Sequence, residues 1–314
     1  MLRYLIRRAL FSVLVIIGVV TIAFSLLHLI PGDAVDAILG TEASPQTRES
    51  LRRELGLDRP LIVQYGSWWW DVFHGDLGRS ILIQQPVASL ILERLPTTIP
   101  LAMLSMAIAI AIAIPAGVLS AVRRNSWVDG LFSMLAFSGL SIPGFWLGVI
   151  LILTFSLRLR WFPPGGYVSI VEDPLGGIHH LVLPAIALGT TFAAALTRMI
   201  RSSMLEVLNR DYIRTARAKG QTERLVILRH ALRNAMIPAV TIAGVQIGAL
   251  LSGALVIEQV FALPGLGRLT VQAVLDRDFP LVQGCIIVIA LIFVFANLII
   301  DLLYVYLDPR ISYT

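Results

Sequence analysis

Six apolar runs, at about residues 9–30, 99–122, 131–157, 181–199, 237–257 and 282–303, limit what this chain can become. Each is long enough to cross the roughly 30 Å hydrocarbon core of a bilayer as a helix. A peptide group in hydrocarbon has no water to bond, so each run must satisfy its N–H and C=O groups within itself. The expected fold class is all-α: an integral membrane bundle of six transmembrane helices, forming one domain over residues 1–314. With 57% hydrophobic and 14% charged residues, the chain is far too apolar for an ordinary soluble domain. The first run follows Arg3, Arg7 and Arg8, as in a secretory signal, but it is too long for one. Ile30-Pro31-Gly32 also lacks a small-x-small cleavage site, so the run reads as an uncleaved span.

Arginine and lysine placement sets the orientation. With a cytosolic N-terminus, that side receives Arg3, Arg7, Arg8, Arg123, Arg124, nine basic residues from Arg198 to Arg233, and Arg310, fifteen in all. The opposite side receives four in its short segments, Arg158, Arg160, Arg268 and Arg277. Both termini are expected inside. The net charge of +5 is explained by this membrane pattern, and no nucleic-acid partner is expected. The single cysteine, Cys285, lies in an apolar run and reads as a small packing residue.

Residues 201–236 form the most basic segment, the inner connection between the fourth and fifth spans. Asp211 is a candidate N-cap, Tyr212 to Lys219 reads as a helix, and Gly220 stands where a left-handed residue would end it. Thr222 can cap a second helix with Leu225, Leu228, Leu232 and Ala235 on its buried face and Arg224 and Arg233 opposite. Pro238 suits the first turn of the next span.

Residues 31–98 face outward and carry six Arg against nine Asp or Glu. Ser44-Pro45 opens a helix that Gly56 closes, and Pro60 opens another bearing an aromatic face of Tyr65, Trp68, Trp69, Val72 and Phe73. In the third run Gly139, Pro143 and Gly144 predict a kink, and such breaks can line a pathway. His179 and His180 lack the spacing of a metal site and read as loop histidines. Gly244, Gly248 and Gly253 allow close helix approach in the fifth span, expected against a partner subunit. Glu258, Asn297 and Asp301 join Pro143 and Gly144 as candidate pathway or gate residues, because polar groups within a span carry a cost that function can justify.

The only lysine, Lys219, is followed by Gly220, so no Gly-Lys-Ser/Thr phosphate loop exists. No zinc-protease or nucleophile-elbow motif occurs either, and no enzymatic activity is expected of this chain. A stand-alone secondary transporter would need coupling carboxylates deep in the spans and commonly an internal repeat, and neither is visible.

The segment from Asp211 onward resembles the EAA loop of permease subunits of binding-protein-dependent ABC importers, in its dipeptide and oligopeptide form. The family pattern falls on Arg214, Thr215, Ala216, Gly220, His230, Leu232 and Arg233, with Ala216, Gly220 and Leu232 matching it. The Arg in place of Glu and the His-Ala-Leu-Arg ending resemble the peptide branch's own version. The resemblance extends through Pro31-Gly32-Asp33, Gly56-Leu57-Asp58, Gly75-Asp76-Leu77-Gly78, Ser138 to Gly148, Pro264-Gly265-Leu266-Gly267 and Asn297 to Tyr313.

It implies the type I ABC importer permease fold, with a helical outward loop after the first span, in a bacterial or archaeal plasma membrane. It also implies half of a translocation path for short peptides, with glutathione, nickel chelates or oligosaccharides as alternative cargo. The implied partners are a second homologous permease, one or two cytosolic ATPases that carry the ATP and magnesium, and an extracytoplasmic binding protein. Asp211, Tyr212, Arg214, Thr215, Ala216, Arg217, Gly220, Leu228, Leu232 and Arg233 would form the coupling surface.

Overall fold

The computed structural model describes residues 2–29, 35, 44–54 and 56–307, with side chains described at 10–25, 35, 44–50, 52, 53 and 56–300. Pro31-Gly32-Asp33, the side chains of Arg3, Arg7, Arg8 and Asp301, and the tail through Arg310 and Tyr313 lie outside the described residues. Among the described residues every regular element is helical: α1 (Leu2–Leu29), α2 (Pro45–Glu54), α3 (Leu61–Phe73), α4 (Val87–Leu92), α5 (Leu95–Val122), α6 (Trp127–Ser141), α7 (Gly144–Leu151), α8 (Pro174–Leu208), α9 (Asp211–Ala218), α10 (Glu223–Leu225), α11 (Leu232–Val260), α12 (Leu266–Leu275) and α13 (Phe279–Leu307).

Among the described residues four unbroken stretches are long and apolar enough to cross a bilayer: Val87–Val122, Pro174–Leu208, Glu223–Val260 and Phe279–Ile300. A fifth is the bent pair Trp127–Ser141 and Gly144–Arg158, and α1 contributes the shorter apolar stretch Leu10–Ser25. Of the six expected spans, four are thus unbroken and the third is broken, while the first falls in α1, whose described side chains cover Leu10–Ser25. The break falls at Ile142–Pro143, where Gly139, Pro143 and Gly144 predicted it, and the two halves meet at 101°. The run at 181–199 lies inside the 35-residue α8. Apolarity marks only the part in hydrocarbon, whereas the helix continues through polar residues at both ends.

The chain divides into two compact units, Met1–Pro96 with Gly265–Val294, and Thr97–Pro264 with Phe295–Thr314. In the first, Ser44 Oγ accepts from the Thr47 N–H at 3.2 Å to begin α2, and Gly56 at φ +67° follows its end. The aromatic face of α3 packs on α1: Phe24 lies 5.2 Å from Tyr65 and 6.2 Å from Trp68 between ring centroids, and Thr21 and Tyr65 share a 2.6 Å hydrogen bond. Gly75 and Gly78, at φ +81° and +80°, turn the chain so that buried Ser80 donates to the carboxylate of buried Asp278. Asp278 also accepts from the Leu281 N–H at 3.3 Å, satisfying a free donor at the start of α13. The core here gathers Val87, Ile91, Leu266, Val282 and Cys285, and Cys285 is the packing residue expected.

The second unit is built around α8, against which α6, α7 and α11 pack. Small residues let the backbones approach. A Cβ on Gly117 would lie 2.8 Å from Ile200, one on Gly189 2.6 Å from the Ser105 carbonyl, and one on Gly253 2.8 Å from Leu188. Gly244 packs within the chain too, with Ile300 3.0 Å from where its Cβ would be. This corrects the partner-subunit role expected of these glycines at Gly244 and Gly253. His179 and His180 are helical rather than loop residues, bonding the Trp161 and Gly176 carbonyls at 2.8 and 2.9 Å.

One ion pair binds three elements of this unit. Arg201 of α8 donates to both oxygens of Asp129 on α6, at 2.7 and 2.9 Å, and Ser120 of α5 donates to the same carboxylate at 2.5 Å. The Asn125 N–H adds a further bond at 3.0 Å. Removing one partner of such a pair strands the other, whereas removing both is far milder. Asp129→Ala is therefore expected to cost about 3 kcal/mol of stability. In the double variant Asp129→Leu/Arg201→Met most of the loss should be recovered, as read from thermal unfolding of the purified protein by intrinsic fluorescence. A single variant as stable as the parent would show that the pair carries no weight.

Candidate functional site

The C-terminal end of α8 passes directly into the two short helices that carry the predicted coupling residues. Arg210 takes the N-cap position of α9, which corrects Asp211: it is the first helical residue, its side chain caps nothing, and its carboxylate lies 3.4 Å from Arg214. Acidic Asp211 still suits this first turn, where the helix dipole favours negative charge. Ile213 and Ala216 are buried, and Tyr212, Arg214, Thr215 and Arg217 are exposed.

The end of α9 follows the expectation for Gly220. At φ +73° it donates its N–H to the Arg217 carbonyl at 2.9 Å, while the Gln221 N–H reaches the Ala216 carbonyl at 3.4 Å. This pair of bonds is the Schellman closure of a helix. No atom lies within 4 Å of where a Cβ would sit, so the demand for glycine comes from backbone conformation alone.

Across this turn Arg217 grips Glu223 with two hydrogen bonds, at 2.6 and 3.1 Å. The arginine's donation holds the Glu223 carboxyl below its usual range, and the same bond raises Arg217. A carboxylate with its folded pKa depressed adds stability above its unfolded pKa and loses it as pH falls through the folded value. The two side chains are 42% and 55% exposed, so solvent keeps the contribution small. His230 and Gln221 meet at 2.6 Å, and Asn234 donates to the Tyr212 hydroxyl at 3.0 Å, tying the second helix back to α9.

The second helix departs from its expected form. Thr222 stands at the N-cap of α10, but its side chain makes no capping bond. After one α-turn the backbone widens into a π-turn over Val226–Ala231, then continues as α11 without interruption. The residue that the π-turn inserts shifts the buried face. Burial runs Val226, Ala231, Ala235, Ala239, with a first step of five rather than three or four. Leu225 and Leu228 are therefore 39% and 51% exposed instead of forming the inner stripe with Leu232 and Ala235; Leu232 is half-buried and Arg233 exposed. Pro238 lies within α11 rather than in its first turn. Tyr212, Leu225 and Leu228 are thus exposed along this segment, as are Arg214, Arg217, Lys219 and Arg224.

The candidate pathway residues belong to other elements. Pro143 is the N-cap of α7, and a Cβ on Gly144 would lie 3.4 Å from the Thr191 hydroxyl. Glu258 is fully buried near the end of α11 and accepts from Thr98 at 2.6 Å. Asn297 lies in α13 with Asp301 four residues on.

Replacing Gly220 with valine would force a β-branched residue into the left-handed region, at about 1–2 kcal/mol. Amide exchange in a peptide covering residues 211–231 should accelerate about tenfold, with exchange in α11 unchanged. Unaltered exchange would separate the turn from its glycine.

Two family descriptions together span nearly the whole chain. "Binding-protein-dependent transport system inner membrane component" matches residues 113–313, and the N-terminal membrane component of the same systems matches residues 1–102. A Brucella abortus protein, provisionally named as a peptide transport system permease, is 48% identical over 98% of both chains. The oligopeptide transport system permease protein AppB of Bacillus subtilis is 43% identical over 100% of both. The dipeptide transport system permease protein DppB of Escherichia coli K12 is 42% identical over 100% of this chain and 99% of its own. Among solved structures, the inward facing MetNI methionine ABC transporter shares the fold at 19% identity and TM-score 0.56, covering 70% of this chain and 96% of the other. The chain belongs to the binding-protein-dependent transport system inner membrane component family.

Proposed function

We propose that this chain is the permease subunit of an ATP-driven importer and forms half of a path for short peptides. An extracytoplasmic binding protein delivers the cargo, a second permease completes the path, and one or two separate cytosolic ATPases drive it. The observation that carries this reading is the exposed basic and apolar surface of α9 and α10, closed by Gly220 and continuous with the membrane helices α8 and α11. The names of the relatives with similarity over the full chain support peptide cargo.

In this reading Asp211, Tyr212, Arg214, Thr215, Arg217 and Leu228 meet the ATPase, and the excess of arginine supports a cytosolic position for them and for both termini. ATP drives transport only through the different affinities of the ATPase pair for two states of the membrane subunits. A surface joined to two spans without a flexible linker passes that difference on as displacement. The break at Pro143 and Gly144 is the element best suited to line the path, since irregular backbone in a membrane is tolerated where it faces protein or water. Glu258, Asn297 and Asp301 remain candidates for gating.

Reconstituted with its companion subunits and binding protein, the chain should support peptide uptake only when ATP is supplied. Uptake by this chain alone, without ATP, would overturn the assignment. Charge reversal at Arg214 or Arg217 should reduce co-purification of the ATPase about tenfold for a contact of ordinary charge-assisted strength. Undiminished co-purification would remove these residues from the interface.

A further inference from the structure

We propose that the groove between α5, α6 and α8 binds an anionic phospholipid, with one acyl chain in the groove and the headgroup phosphate at Arg198. Two adjoining recesses form it, of about 400 and about 180 Å³, and they share Phe132, Ala136 and Thr197. The larger is walled by apolar and small side chains, among them Ile112, Pro115, Leu135, Gly139 and Ala193. Recesses of that size do not admit a helix about 10 Å across, but they suit a single hydrocarbon chain, whose burial is favourable at each methylene. The smaller recess turns polar, with Ser120, Ser133, Arg198 and Arg201 in its wall.

Charge at this polar end selects the headgroup. Arg201 is neutralised by Asp129, whereas Arg198 is exposed and has no anionic partner among the described residues. Arg123 and Arg124 lie in the turn between α5 and α6, whose Asn125 N–H bonds the same Asp129 carboxylate, and both are exposed. Trp127, 78% exposed at the start of α6, is the residue type that settles at a membrane–water boundary. Four arginines against one aspartate leave an excess of positive charge beside an apolar groove, the combination by which pockets between membrane helices hold lipid phosphates. The proposal rests on the membrane-spanning reading, not on the cargo or the coupling surface.

The test uses the intact complex of this chain with its companion subunits, purified in mild detergent. It is incubated with photoactivatable phosphatidylglycerol or phosphatidylcholine carrying the reactive group in the acyl tail, and adducts are mapped by peptide mass spectrometry. Phosphatidylglycerol should label residues 132–139 and 190–198 several-fold more than phosphatidylcholine, and millimolar inorganic phosphate should not compete. Arg198→Gln should lower this labelling about fivefold, and Arg198→Lys should retain most of it. Equal labelling by the two lipids, adducts elsewhere, or unchanged labelling of Arg198→Gln would overturn the site. So would a bifunctional cross-link from Ala136→Cys to the second permease in place of lipid. Should Arg198→Gln fail to assemble, the comparison of the two lipids on the parent complex decides alone.

Discussion

Hydrocarbon supplies no hydrogen bonds, and this constraint governs how the membrane helices depart from regularity. Pro100, Pro115, Pro184 and Pro238 each remove a donor from a membrane helix, yet the helices continue through them. Where the backbone does break, at Ile142–Pro143, it does so against α8, with Gly144 close to the Ala187 carbonyl and the Thr191 hydroxyl. The irregular segments are thus held against protein. The two π-turns, over Ile152–Arg158 and Val226–Ala231, sit at the ends of apolar stretches, where widening the helix re-aims a face without exposing peptide groups to lipid.

The other requirement is cohesion between helices, because lipid tails are as apolar as leucine and burial alone does not draw spans together. Here cohesion comes from close approach at Gly117, Gly189 and Gly253 and from a few fully satisfied polar groups. Asp129 accepts from Arg201, Ser120 and Asn125, and Asp278 from Ser80 and the first turn of α13. Each is a buried carboxylate with its lone pairs occupied, so it fixes the position of its neighbours without leaving an uncompensated charge.

Much of this was legible in the residues themselves. The apolar runs located the membrane helices, Gly139-Pro143-Gly144 located the break, and Gly220 located the end of α9, since each depends on local backbone chemistry. What escaped depends on partners distant in sequence or on a change of helical period. Arg201 and Asp129 are 72 residues apart, and neither neighbourhood names the other. The π-turn was hidden because a 3.6-residue period assigns Leu225 and Leu228 inward, and one inserted residue is enough to turn them out. Asp211 was misplaced by a single position: both the N-cap and the first turn favour an acidic side chain, and Arg210 gave no sign that it would take the cap.

The length of α8 has a mechanical consequence. Its 35 residues extend about 50 Å, well beyond the roughly 30 Å of hydrocarbon. From Arg198 to Leu208 it forms a stalk of about 16 Å that carries the short helices clear of the lipid tails. Anything gripping those helices therefore works on the long arm of a stiff rod: a swing of about 10° over the full length moves one end by about 9 Å relative to the other. Across the roughly 30 Å that lies in hydrocarbon the same rotation amounts to about 5 Å, close to the rise of one helical turn.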